Sequence, residues 1–178
     1  VTETLEADAQ KENSSGYYII DMPKDAKIDT ISIPAGVKGV TFWGPYQYNE
    51  ETDTRVQFPV KIGTVQTQEG QIITLSDQIM NSGLKVTGNG TVRIQNCVIN
   101  GTVEGTGADD TVVFQLDSVV GGLQGVENVH FGRQCDNLNL TGTAEFYNIY
   151  NENESPEDDM FPIELQIEGK ENPGSVIF

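Results

Sequence analysis

From Val65 to Phe146 the apolar positions fall into short alternating triplets, separated by polar turns containing Gly, and the phrase returns about every seventeen to twenty residues. Val86-Thr-Gly88 leads to Val92-Arg-Ile94, and Val103-Glu-Gly105 leads to Val112-Val-Phe114. Leu123-Gln-Gly125 then leads to Val129-His-Phe131, and Leu140-Thr-Gly142 to Ala144-Glu-Phe146. The leading positions step by 17, 20 and 17 residues, and a weaker copy starting at Val65 precedes them by 21. Residues 91–105 lie over 111–125 without a gap, an offset of 20. Each triplet reads as a strand of period two, with its first and third side chains inward and its middle one in water. A fixed period of this length marks a solenoid, in which each unit buries its apolar face against its neighbours. The expected fold is therefore all-β: a right-handed parallel β-helix, or solenoid, with capped ends.

A second architecture competes. Asn89-Gly90 and Asn100-Gly101, flanked by alternating apolar residues, are hairpin signals and would suit an antiparallel β-sandwich. A hairpin protein has no reason to repeat Gln and Gly at one offset across whole units, which favours the solenoid.

The same pattern divides the chain. Residues 1–15 are polar and acidic and read as a mobile tail. Residues 16–150 read as the solenoid, opened by Gly16-Tyr-Tyr-Ile-Ile-Asp21 as an N-terminal cap strand. Gly36-Val-Lys-Gly-Val-Thr-Phe42 matches Gly125-Val-Glu-Asn-Val-His-Phe131, yet the gap from Ile33 to Val65 is too long for one repeat. The surplus is assigned to a projecting loop insertion near 43–54, rich in Tyr, Glu and Asp. Residues 151–178 read as an acidic loop followed by a C-terminal cap strand, Ile163-Glu-Leu-Gln-Ile167. Aromatic residues gather towards both ends, where a solenoid must cover its open apolar core.

Asp29-Thr-Ile-Ser-Ile-Pro-Ala-Gly-Val-Lys-Gly-Val40 and residues 123–131 resemble the degenerate leucine-rich repeats of bacterial cell-surface proteins. The Asn-Gly-Thr-Val phrases at 89–92 and 100–103 are similar to the parallel β-helix domains of such proteins. The resemblance covers residues 28–150 and departs from standard leucine-rich repeats, since Leu is scarce and their Asn ladder is not kept in phase. It implies an extracellular or surface-attached module, often for adhesion or carbohydrate binding.

Composition narrows the partners. Ten Lys and Arg against 27 Asp and Glu give a net charge of −17, which argues against nucleic acid and anionic membrane surfaces. No apolar run approaches the ~18 residues of a membrane span, so membrane insertion is not expected. The chain opens at Val1 without Met or a hydrophobic signal core, which reads as a mature or trimmed form.

The outward middle position of successive triplets makes a column of Thr74, Arg93, Val113, His130 and Glu145, and the candidate exposed face is Thr74, Arg93, His130 and Glu145. A polysaccharide lyase or hydrolase needs a base beside acidic groups. Arg93 and His130 fall two repeats apart, too far for a mutual hydrogen bond, so no catalytic residue is assigned and an enzyme is not the expected reading. Trp43, Tyr46 and Tyr48 form a candidate aromatic patch, with a role in end-capping as the competing account. Cys97 and Cys135 fall about two repeats apart, with Cys97 aligned to Asp117 and Cys135 to Ser118, beyond disulfide reach. Both are expected to be free thiols. Asp109-Asp110 and Asp158-Asp159 are conceivable Ca²⁺ ligands but lack the spacing of a calcium loop, so no metal site or cofactor is assigned. Asn13, Asn89, Asn100 and Asn139 each begin an Asn-x-Ser/Thr acceptor, which in a β-rich chain is also ordinary turn chemistry. The expected role is a non-enzymatic extracellular or cell-surface module that presents a flat β-face for adhesion to a polysaccharide or surface protein. The alternative is a Ca²⁺-assisted carbohydrate-binding domain and, behind it, a polysaccharide lyase.

Overall fold

The structure, a computed structural model, describes residues 17–106, 109–116, 118–132, 137–145 and 147–151, together with the backbone of 164–167 and 176–177. The tail 1–15, the acidic loop after 151, Cys135 and Phe146 lie outside the described residues.

Strands alternate between two parallel sheets as the chain coils. Sheet A holds β1 (Tyr17–Asp21), β3 (Gly39–Trp43), β7 (Ile72–Ser76), β10 (Thr91–Gln95), β12 (Thr111–Gln115), β14 (Asn128–Phe131) and β17 (Asn148–Asn151), in that order. Sheet B takes the chain after each of these. Its strands are β2 (Lys27–Ser32), β6 (Pro59–Thr67), the pair β8 (Ile79–Met80) and β9 (Leu84–Gly88), β11 (Val98–Gly105) and β13 (Ser118–Gln124). The pairs β15 (Asn137–Leu140) with β16 (Ala144–Glu145), and β18 (Glu164–Ile167) with β19 (Val176–Ile177), complete it. The result is a β-solenoid of about six turns. The antiparallel sandwich is excluded: among the described strands only β4 (Tyr46–Asn49) and β5 (Thr54–Gln57) pair antiparallel, in a hairpin of their own. That hairpin occupies the place of the expected loop near 43–54.

Inward side chains stack coil upon coil. On sheet A, Val40, Ile73, Val92, Val112 and Val129 form one buried column, and Phe42, Leu75, Ile94, Phe114 and Phe131 form another. Phe114 and Phe131 stack with ring centroids 6.3 Å apart. On sheet B, Val60, Met80, Ile99, Val120 and Leu140 stack in the same way. β-branched and aromatic side chains suit such a pleated, one-side-buried surface. β1 joins this ladder as a parallel edge strand in register with β3.

Sheet B bends in mid-strand, and glycine permits the bend. A Cβ added at Gly101 would sit 2.0 Å from the backbone nitrogen of Gly83, and one at Gly142 would sit 2.1 Å from the carbonyl oxygen of Gly121. Neighbouring coils approach too closely there for any side chain. The Asn100-Gly101 phrase is thus a bend in β11 rather than a hairpin turn.

The last repeat differs from the sequence alignment. Leu140 pairs with Val120, Ala144 with Leu123, and Ile149 with Val129. Gly142 marks the bend of sheet B, whereas Gly125 (φ 66°) marks the turn into sheet A, and the two glycines look alike in sequence. Likewise Val103 stands against Leu84, two residues before the Val86 of the sequence alignment.

Candidate functional site

The outer surface of sheet A carries a central column of Ile19, Thr41, Thr74, Arg93, Val113, His130 and Tyr150, fixed by the strand register. Thr74, Arg93 and His130 therefore share this column as expected from the sequence. Glu145 does not: it lies in β16 of sheet B, and Tyr150 takes the corresponding position beside His130. The cause is the shifted last repeat described above. Thr74 is also not an exposed residue, with 6% of its surface accessible, and Val113 is buried with it. Both flank Arg93 on the adjacent strands, so the centre of this face is more enclosed than an alternating pattern suggests.

Arg93 is half-buried, and its Nε is shut from solvent with no hydrogen-bond partner among the described residues. Its guanidinium makes no ion pair with any described residue. Trp43 ends β3 on the same outer face, and its indole Nε1 is likewise buried without an acceptor among the described residues. Between the two strands lies β7, so roughly 10 Å separates them at the usual strand spacing. A buried donor without an acceptor costs ~1–3 kcal/mol, more when charged. Two such donors on one surface is the least expected feature of this face. Farther along, His130 and Tyr150 stack with ring centroids 4.5 Å apart. Arg93 and His130 are two coils apart, with Val113 between them.

The hairpin begins immediately after Trp43. Gly44 N–H donates to Ser76 O at 2.8 Å, and Phe58 N–H donates to Pro45 O at 2.9 Å, closing its neck. Tyr46 and Tyr48 are 46% and 49% exposed, and Val56 on β5 is 52% exposed. The Arg55 guanidinium lies 4.6 Å from the centre of the Tyr46 ring. The Tyr48 hydroxyl donates to Asp53, and that bond holds the phenol above its ordinary pKa. The sequence-predicted patch is thus divided: Trp43 belongs to sheet A, and Tyr46 and Tyr48 stand on the hairpin. Arg55 completes the patch; sequence reading missed it because its link to Tyr46 depends on the hairpin register, Tyr46 opposite Gln57 and Tyr48 opposite Arg55.

The acidic pair at 109–110 serves a turn. Asp110 is fully buried, and its Oδ2 accepts the Thr106 N–H at 2.8 Å while its carbonyl accepts the Asn128 N–H at 2.9 Å. Asp109 is exposed with φ 71°. Among the described residues no cluster of three or more His, Cys, Asp or Glu side chains is placed to hold a metal ion. Asp158 and Asp159 lie outside the described residues.

Cys97 is a buried free thiol in the core. Its Sγ–H faces the carbonyls of Leu75 and Gln95, each at 3.3 Å, and its N–H donates to Ser118 Oγ at 3.1 Å. Ser118, rather than Asp117, is therefore its counterpart on the next coil. No protein-family model matches this chain, and no curated protein or solved structure matches it either.

Proposed function

We propose that this protein is a non-enzymatic binding module of an extracellular or cell-surface setting. The solenoid acts as a rigid support, and the outer face of sheet A with the adjoining hairpin receives a polysaccharide or a surface protein. The observation that carries this reading is the pair of buried donors on one face, Trp43 Nε1 and Arg93 Nε, that have no acceptor among the described residues. A partner rich in hydroxyl, carboxylate or carbonyl oxygen supplies the acceptors that the described residues lack, with the neighbouring side chains shifting to admit it. The hairpin adds exposed Tyr46 and Tyr48 with Arg55, and Trp, Tyr and Arg are the residues that dominate protein recognition surfaces. The likeness of residues 28–150 to bacterial surface repeats supports the setting.

The test is solid-phase binding to a panel of neutral and acidic polysaccharides, with and without Ca²⁺. Wild type is compared with Tyr46→Ala/Tyr48→Ala and with Arg93→Ala, and melting temperature serves as the folding control. At least one polymer binds, and each variant weakens that binding by about tenfold or more. Equal binding by wild type and variants removes this face from the site. Binding that appears only with Ca²⁺ favours the calcium-assisted reading.

A further inference from the structure

A separate feature lies on the outer surface of sheet B. Lys27 of β2 and Lys61 of β6 are register partners on adjacent parallel strands, and both side chains are exposed. Like charges set directly opposite each other destabilise a strand pair. Among the described residues neither ammonium lies within 4.0 Å of a carboxylate oxygen. In a chain of net charge −17, two of its ten basic residues thus stand side by side with no ion pair to a described carboxylate.

The two lysines line a groove of 310 Å³ together with Asp25, Asn81 and Ser82. The pairing of Val60 with Met80 places Asn81 on the coil after Lys61, so Lys27, Lys61 and Asn81 follow one another along the solenoid. Asn100 Nδ2 donates to Asn81 Oδ1 at 3.2 Å. That bond engages the Asn81 carbonyl and leaves its amide N–H groups as donors. Asp25 is the one carboxylate in the lining, and it pairs with neither lysine. The wall therefore offers two ammonium groups and an amide, spaced by strand repeats of ~4.8 Å.

We infer that this groove binds an oxyanion (a carboxylate, sulfate or phosphate group) held between the Lys27 and Lys61 ammonium groups, with an Asn81 N–H completing its contacts. An anion between the lysines turns their repulsion into two charge-assisted hydrogen bonds, which are shorter and stronger than neutral ones. Such an anion is either a free inorganic ion or an acidic group on a polymer running along the solenoid axis. This inference does not depend on the proposed role of sheet A.

Thermal unfolding of the full chain tests it, with NaCl adjusted to keep ionic strength constant. Wild type, Lys61→Gln and Lys27→Gln/Lys61→Gln are melted without and with low-millimolar inorganic phosphate. Without phosphate both variants melt at or above wild type, because the repulsion is relieved. With phosphate wild type rises by about 2 °C or more, the scale expected when a ligand binds only the folded state of a chain this size. The double variant does not rise. Polygalacturonate in place of phosphate separates the sources: a shift with phosphate alone assigns a free anion, and a shift with the polymer assigns an acidic chain. Absence of a shift with both ligands, or an equal shift in wild type and double variant, overturns the site. Tyr46→Ala/Tyr48→Ala keeps the phosphate response, so failure of the sheet A reading is distinguishable.

Discussion

Asn96 stands one coil beyond Asp77, and its side-chain amide donates to the Asp77 carboxylate at 2.7 Å. Both residues hold left-handed backbone, with φ 49° and 53°, at the corner where the chain leaves sheet A. Short polar side chains tolerate that conformation because they bond locally. Ser76 Oγ donates to the same Asp77 carboxylate at 2.8 Å, so the corner is tied both along the chain and between coils.

Leu116 takes the next place in this corner column with φ 56° and neither advantage. Left-handed backbone costs a residue of this kind ~1–2 kcal/mol. Leu116→Asn is expected to stabilise the protein by about 0.5–1 kcal/mol, after allowing for lost apolar cover on this half-buried side chain. Chemical denaturation measures the gain, and a lower midpoint for Leu116→Asn contradicts the account.

Two kinds of glycine predict two sizes of effect. Gly70 has φ 76° with nothing within 4 Å of an added Cβ, so Gly70→Ala costs only the backbone term of about 1 kcal/mol. Gly101→Ala drives a Cβ into the Gly83 backbone and is expected to cost about 3 kcal/mol or more. Urea melts of the two variants check the order; comparable losses refute the close approach of coils at the bend.

Gln71 is buried, and its Nε2 donates to the carbonyls of Ile33 (3.3 Å), Pro34 (3.0 Å) and Val37 (3.3 Å). Its Oε1 accepts the Gln68 N–H at 3.0 Å, so one side chain joins two successive turns. Gln71→Ala removes these four side-chain bonds, with the Pro34 carbonyl keeping its Val37 N–H partner, and is expected to cost about 2–3 kcal/mol. Gln71→Glu faces a carboxylate towards three carbonyls and is worse at neutral pH. The folded state raises the pKa of this Glu, so the variant regains stability as pH falls towards the ordinary carboxylate range. A pH series of melting temperatures, compared with wild type, reads that recovery.

Burial pushes the Cys97 thiol up to about 12 from its usual 9.0, outweighing the backbone hydrogen bonds of Gln78 and Gln95 that act the other way. The folded chain therefore keeps a proton that the unfolded chain releases above pH 9. This contribution to stability is fully present below the unfolded value and is lost as pH climbs towards the folded one, by ~1.4 kcal/mol per unit. In a Cys135→Ser background, Cys97 is expected to resist thiol reagents at pH 8 until the protein unfolds. Rapid labelling of the native state contradicts its burial.

The coil repeat is legible in sequence because inward positions tolerate little besides aliphatic and aromatic side chains. Thr91 to Gln95 pairs with Thr111 to Gln115 at the offset the sequence shows, and Gly36 and Gly125 both adopt left-handed turns before matching Val-x-Phe strands. Surplus length between Ile33 and Val65 is visible in sequence as a loop, whereas its pairing into the β4–β5 hairpin is not. The last coil is not, because glycine signals two different needs: close approach at Gly142 and a left-handed turn at Gly125. Confusing them moved Glu145 onto sheet A, where Tyr150 belongs. The Trp43 and Arg93 nitrogens that find no acceptor among the described residues have no sequence signature, since they arise from what neighbouring coils bury.

The hairpin hangs from a narrow neck, while Trp43 pairs with Ser76 and Pro59 pairs with Ile79 on either side of it. What is grafted between Pro45 and Phe58 need not disturb the stack beneath. The molecule can change what it touches without renegotiating how it stands.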